Sequence, residues 1–124
     1  MKQLAEKISD AELEVMKVLW EEEDALPVTV IREVLAKRKG WEATTVKTLI
    51  SRLLGKGVIA QEKRKVFFYR PLISERDYNA WATENLIQRL YKGSAKELVA
   101  ALVSSDGLSK EEIDELRAMF VVKD

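Results

Sequence analysis

The chain has 124 residues, 47% of them apolar, with 21 Lys and Arg balancing 21 Asp and Glu; this suits one folded domain, or a small domain with an appendage. The absence of Cys and His excludes disulfides and zinc or copper(I) sites of the usual ligand types, and it removes the commonest general base and the best nucleophile. No carboxylate pair or Gly-rich phosphate loop replaces them, so neither an enzyme nor a cofactor is expected; no apolar run or leader pattern suggests membrane insertion, and the expected compartment is the cytoplasm.

Ser9-x-x-Glu12 has the form of a capping box and opens a helix over 10–21. The acidic run Glu21-Glu22-Glu23-Asp24 that follows reads as a solvated loop. Pro27 suits a first helical position, and Val30, Ile31, Val34 and Leu35 then line one face until Gly40 stops the helix. A third helix spans about 43–55, with Gly57 as its left-handed terminator. Residues 58–62 and 66–70 are β-branched and aromatic enough to form a hairpin around the tip Lys63-Arg64-Lys65, and Pro71 ends its second strand. Trp20 and Trp41 are expected to be packing residues. Ser74-x-x-Asp77, Ser94-x-x-Glu97 and Ser109-x-x-Glu112 then open helices over 75–92, 95–104 and 110–121.

The third helix is the most informative. At 100° per residue, Val46, Leu49, Ile50, Leu53 and Leu54 gather on one stripe. Thr44, Thr48, Ser51 and Arg52 fall on the opposite side, flanked by Thr45 and Lys47. An ordinary solvated face mixes Glu with Lys, yet this one has no acid after Glu42. Short hydroxyls beside cations suit a helix lying in a DNA major groove. Thr45, Lys47 and Thr48 are the candidates for contact with base edges, since Thr offers a hydroxyl and a methyl that matches the thymine C5-methyl. Thr44 and Arg52, with Lys63, Arg64 and Lys65 of the hairpin tip, are the candidates for phosphates.

Charge distribution agrees. Residues 37–70 hold ten cations and two acids, while 74–124 hold seven and ten. A concentrated basic region is the electrostatic footprint of phosphate binding. Three helices followed by a basic hairpin make a winged helix-turn-helix over 1–73. The fold class is therefore mainly α: a winged helix with a β-hairpin wing, followed by three helices.

Residues 74–124 are too few for a robust core of their own, yet they are rich in apolar groups, Val121 and Val122 among them. Leu98-Val99-Ala100-Ala101-Leu102-Val103 is apolar all round and must be covered all round. A second copy of the chain is the expected cover, making 74–124 a dimerisation domain. Its candidate interface is Trp81, Leu86, Leu90, Leu98, Val99, Leu102, Val103, Ile113, Leu116 and Phe120.

Several stretches resemble a known family, the penicillinase-repressor type of bacterial winged-helix regulators (the BlaI/MecI/CopY group). They are Ile8-Ser9-Asp10-Ala11-Glu12-Leu13-Glu14-Val15-Met16, Trp41, Thr45-Val46-Lys47-Thr48-Leu49-Ile50-Ser51-Arg52-Leu53, Lys56-Gly57, Phe67-Phe68-Tyr69 and Leu108-Ser109-Lys110-Glu111-Glu112-Ile113. The resemblance runs over nearly the full length. It implies a homodimeric repressor of antibiotic-resistance or stress genes, seated on double-stranded palindromic operators with TACA/TGTA half-sites. In the β-lactam branch it further implies a membrane sensor protease system whose action ends in cleavage of the repressor at an Asn-Phe bond, for which Ala101-Leu102 stands here as the possible site. The copper branch takes up Cu(I) through a C-terminal Cys cluster, which this chain lacks. The wing also lacks the usual Gly or Asn, and Ala43-Thr44 replaces a Pro-Lys pair found in some members. The rival expectation is a winged helix that docks an acidic protein and reads no DNA sequence.

Overall fold

The computed structural model describes residues 2–120. Val121 and Val122 lie outside them. Two compact units divide between Ala82 and Thr83. The division falls inside a helix, nine residues beyond the boundary that the sequence suggests.

In the first unit, α1 (Lys2–Glu6) leads to α2 (Asp10–Trp20). Ser9 caps α2 as expected: its hydroxyl accepts from the Glu12 N–H at 3.2 Å, and Glu12 Oε1 accepts from the Ser9 N–H at 3.0 Å. After the acidic loop comes β1 (Leu26–Pro27), then α3 (Val28–Lys39), which Gly40 ends at φ 68°. α4 (Ala43–Gly55) follows a three-residue turn, and Gly57 at φ 75° releases the chain into the hairpin β2 (Ile59–Lys63) and β3 (Phe67–Pro71). The sheet is antiparallel in the order β1-β3-β2.

Two elements escape a sequence reading. α1 spans five residues, too few to display a period, although Ala5 is fully buried. β1 is two residues long, and Pro27 in it is extended (φ −74°, ψ 157°) and sits opposite Phe68. Pro27 thus precedes the helix as its cap position instead of opening it. A proline has the same φ in both roles, so only the sheet partner decides between them.

The core joins the inner faces of these elements. Val15, Met16 and Leu19 of α2, Ile31 and Leu35 of α3, and Val46, Leu49, Ile50 and Leu53 of α4 are buried with Val58, Ile59, Tyr69 and Ile73. Each such side chain contributes roughly 1.5–3 kcal/mol on removal from water. Trp20 and Trp41 pack against this core as expected. The Trp20 indole donates to the Ile73 carbonyl at 2.9 Å, and its ring lies 5.6 Å from Tyr78, which in turn lies 5.9 Å from Trp81. Burial pushes the Tyr78 phenol above its ordinary value, helped by the charge of Asp10.

One charge lies inside this core. The Glu12 side chain is 1% exposed and meets Lys56 Nζ at 2.6 Å, while the same ammonium donates to the Lys7 carbonyl at 2.8 Å. This pair ties the start of α2 and the preceding turn to the residue that caps α4. Burial alone pushes the Glu12 carboxyl up, but hydrogen bonds from Lys56 and the Ser9 N–H outweigh it and hold the carboxyl below its ordinary value.

The second unit contains the remainder of α5 (Glu75–Tyr91), α6 (Ala95–Ser104) and α7 (Lys110–Met119). Ser74, Ser94 and Ser109 each accept from the backbone N–H three residues on, as their spacing predicts. The last helix stops at Met119, short of the expected end, and Phe120 is extended. None of the described side chains from 83 to 120 is buried.

Replacing Lys56 by Met strands a buried carboxylate. The expected loss at pH 7 is about 2–4 kcal/mol, at the low side for a broken buried pair because Lys56 remains partly in water. Because the folded Glu12 value lies below the unfolded one, the stabilisation is whole above the ordinary carboxylate range and fades as pH falls through the lowered folded value. Urea unfolding of both proteins from pH 7 down to pH 3 should therefore show the gap closing only at the acid end. A gap independent of pH would contradict the role given to this pair.

Candidate nucleic-acid interface

α4 owes its orientation to its buried stripe. Val46, Leu49, Ile50 and Leu53 face the core, so the helix turns Thr44, Thr45, Lys47, Thr48, Ser51 and Arg52 outward, and all six are exposed. The structure therefore brings all five sequence candidates on this helix onto one surface. Lys47 and Ser51 also rim a shallow depression lined by Val28 of α3, Ile50 and Leu54 of α4, and Tyr69 of β3. The first turn has no acid, and Glu42 makes no side-chain capping bond, so its leading N–H groups face out uncapped.

Thr48 has a further property. Its hydroxyl donates to the Thr44 carbonyl at 2.9 Å. With the proton engaged, the side chain offers outward only oxygen lone pairs and a methyl. Those groups suit the exocyclic amines of adenine or cytosine and the thymine methyl.

Ion pairs sort the cations of the 37–70 region. Arg38 meets Glu21 through a 2.6 Å hydrogen bond, Lys39 lies 3.6 Å from Glu14, and Lys56 is held by Glu12. Arg64 and Arg70 both bond to Glu62, each at 3.1 Å. The hydrogen bond from Lys17, with Lys39 nearby, holds the Glu14 carboxyl below its ordinary value, and the bond from Arg38 does the same for Glu21. The acidic loop is thus only partly a free segment, since its first residue pairs with Arg38 of α3. Among the described residues, Lys37, Lys47, Arg52, Lys63 and Lys65 have no carboxylate partner. Four of those five lie on α4 and the hairpin. Within 37–70, ion pairs engage the other five cations and leave these exposed.

The hairpin differs from the expected wing in register. Lys63 pairs with Phe67 inside the ladder, so the tip is Arg64-Lys65-Val66, closed by a 3.0 Å bond from the Arg64 N–H to the Val66 carbonyl. Alternation along β2 puts Lys63 on the sheet face shared with Gln61 and Ile59. Its cross-strand neighbours put Tyr69, which lines the depression with residues of α4, on that same face. Arg64 sits differently. Its guanidinium is held by Glu62 and stacks 4.4 Å from the Phe68 ring centre on the other face. Of the three successive cations at 63–65, Arg64 alone has a carboxylate partner, and the strand itself supplies it. Sequence reasoning missed Glu62, although a register placing it diagonal to Arg70 was the available signal.

Residues 8–121 match the family described as penicillinase repressor. The chain belongs to that family. It is 40% identical over 111 residues to a penicillinase repressor of Bacillus licheniformis, covering 89% of this chain and 86% of that one. It is 39% identical over 112 residues to the methicillin resistance regulatory protein MecI of Staphylococcus aureus, covering 90% of each. The solution structure of the DNA binding domain of the repressor BlaI superposes with a TM-score of 0.53 at 41% identity, over 58% of this chain and 88% of that one. The monomeric form of Bacillus licheniformis BlaI, solved with the blaP half-operator, gives 0.51 at 42% identity over 57% and 87%. The first unit is thus a winged helix, and the family is one of repressors and not of enzymes.

The candidate interface residues of the second half are less uniform. Leu90, Val103 and Phe120 are 61%, 50% and 73% exposed, and Val99, Leu102 and Leu116 are exposed as well. Leu86, Leu98, Ile113 and Ala101 are half-buried within their own unit. Trp81 lies before the division, against the core of the winged helix and beside Tyr78. Its indole already has cover within the chain.

Proposed function

We propose that this protein is a homodimeric transcriptional repressor that binds a palindromic DNA duplex through α4 and the wing of each subunit, and blocks transcription by occupying it. The observation that carries the reading is the set of unpaired cations: Lys47, Arg52, Lys63 and Lys65 flank a hydroxyl-rich helix surface with no acid on it. Membership in a repressor family and the likeness to a domain solved with a half-operator support it.

The division of labour follows from the chemistry of each side chain. Thr48 on the outward face, with Thr45 and Lys47 on its flanks, meets base edges in the major groove. Thr44 and Arg52, at the two ends, meet phosphates, as do Lys63, Arg64 and Lys65. Phosphate contacts set affinity and its salt dependence, and base contacts set the choice of sequence. A TACA/TGTA half-site, with its adenine amines and thymine methyls, fits the lone pairs and methyl that Thr48 presents.

Two heads are needed. An unburied second unit with exposed Leu90, Val103 and Phe120 is covered when a second copy packs against it. Two linked heads then enter major grooves about 34 Å apart on one face of the duplex. Linking them raises apparent affinity by roughly 10²–10⁴ through effective concentration. An inducing signal that separates the subunits loses that factor without touching the reading surface. Cleavage at Ala101–Leu102 in α6, at the end of a membrane sensor protease pathway, is such a signal; the bond lies mid-helix and must unwind to be cut.

Fluorescence anisotropy against a TACA/TGTA palindrome and a scrambled duplex tests the reading. Thr48→Ala should weaken the palindrome about tenfold more than the scrambled duplex. Lys63→Ala should weaken both alike and flatten the log–log salt slope by about 0.9 per chain. Absence of salt-sensitive binding to either duplex would contradict the proposal and favour docking of an acidic protein.

Sedimentation tests the second half. Leu102→Asp should convert a two-chain species to a one-chain species and reduce palindrome affinity by roughly 10² or more, while half-site affinity is unchanged. A variant that stays dimeric would place the subunit contact away from α6.

A further inference from the structure

We propose that Glu62 is a counter-anion built into the wing, which restrains the hold of Arg64 and Arg70 on DNA phosphates irrespective of base sequence. The proposal rests on the DNA-binding reading above. It begins with strand register. Glu62 lies opposite Phe68 and Ala60 opposite Arg70, so Glu62, Phe68 and Arg70 project from one face of the hairpin. Arg64 folds back onto that face at the tip.

Both oxygens of the carboxylate are engaged. Oε2 accepts from an Arg64 terminal nitrogen and Oε1 from Arg70 Nε, each at 3.1 Å. The Phe68 ring lies under Arg64, 4.4 Å from ring centre to guanidinium carbon, and gives that group a second contact on this face. One anion therefore occupies two guanidinium groups, one of them between Lys63 and Lys65 in the chain, neither of which has a carboxylate partner. The arrangement is a small anion site already filled from within the chain.

A phosphate arriving at this edge meets a choice. It bonds the remaining guanidinium donors with the carboxylate still in place and close by, or it takes over the donors that Glu62 holds. Both routes oppose binding, the first by like-charge repulsion and the second by breaking two ion pairs. All three side chains keep a third or more of their surface in water, so the pairs are weak and yield to a duplex. The opposition is therefore a restraint and not a block. It acts on the phosphate contacts, which are the same for every sequence, and so it lowers binding to operator and to bulk DNA alike. A repressor that must leave its site on induction, and must not be held by unrelated DNA, is served by such a restraint.

The test is Glu62→Gln in the full chain, which keeps the shape and one acceptor oxygen while removing the charge. Affinity for the palindrome and for a scrambled duplex should both rise about three- to tenfold at low salt. Glu62→Ala should move both in the same direction, and thermal unfolding of each variant should stay cooperative. In an Arg64→Ala, Arg70→Ala background the gain from Glu62→Gln should vanish. A gain that survives there would mean general charge repulsion and would overturn the proposal. So would unchanged or weaker binding by both Glu62 variants, or a gain confined to the palindrome. If the unaltered protein binds neither duplex, the DNA-binding reading itself fails; if it binds and the Glu62 variants bind no tighter, only the restraint does.

Discussion

The packing of one side of α4 governs the rest of the molecule. Val46, Leu49, Ile50 and Leu53 hold the helix against α2, α3 and the base of the hairpin. With that face fixed, a helix of 3.6 residues per turn has no freedom over what it displays. Thr44, Thr45, Lys47, Thr48 and Arg52 are exposed because their neighbours are not. Stability and the reading surface thus come from one amphipathic segment. The Glu12–Lys56 pair adds a fixed point where α4 ends, since the same ammonium binds a carboxylate of α2 and a carbonyl of the preceding turn.

Charge is the second layer. By composition the chain is neutral, and even the basic 37–70 region overstates the cations free for a partner. Glu14 and Glu21 bind Lys39 and Arg38 at the end of α3, while Glu62 binds two arginines of the wing. Of the five cations in 37–70 left without a carboxylate partner, four lie on α4 and on the hairpin ladder and tip. Folding therefore sharpens an electrostatic pattern that the sequence shows only in outline. Surface pairs of this kind add little stability, and their effect is on where positive potential stays exposed.

Much of this was legible beforehand because it is local. The serine boxes at Ser9 and Ser109, the left-handed glycines at positions 40 and 57, and the apolar stripe of α4 depend on neighbours within a few residues. What escaped was set by contacts distant in sequence. β1 exists because Leu26 and Pro27 meet Tyr69 and Phe68, and α1 because Ala5 finds the core. Trp81 looked like part of the second half because its helix begins after Pro71. Its ring instead joins the Trp20–Tyr78 row, and the compact unit ends one residue later. The wing tip moved by one residue because Lys63 pairs with Phe67, which also sets Glu62 diagonal to Arg70.

The central claim is that the outward face of α4, together with the hairpin, is the surface that meets DNA. Titrating a TACA/TGTA palindrome into the ¹⁵N-labelled full chain and following backbone amides tests it residue by residue. The account predicts that shifts concentrate at Thr44, Thr45, Lys47, Thr48, Arg52, Lys63 and Lys65, with Glu22 and Glu23 unmoved. Shifts centred on the acidic loop or on α7, with α4 silent, would contradict it.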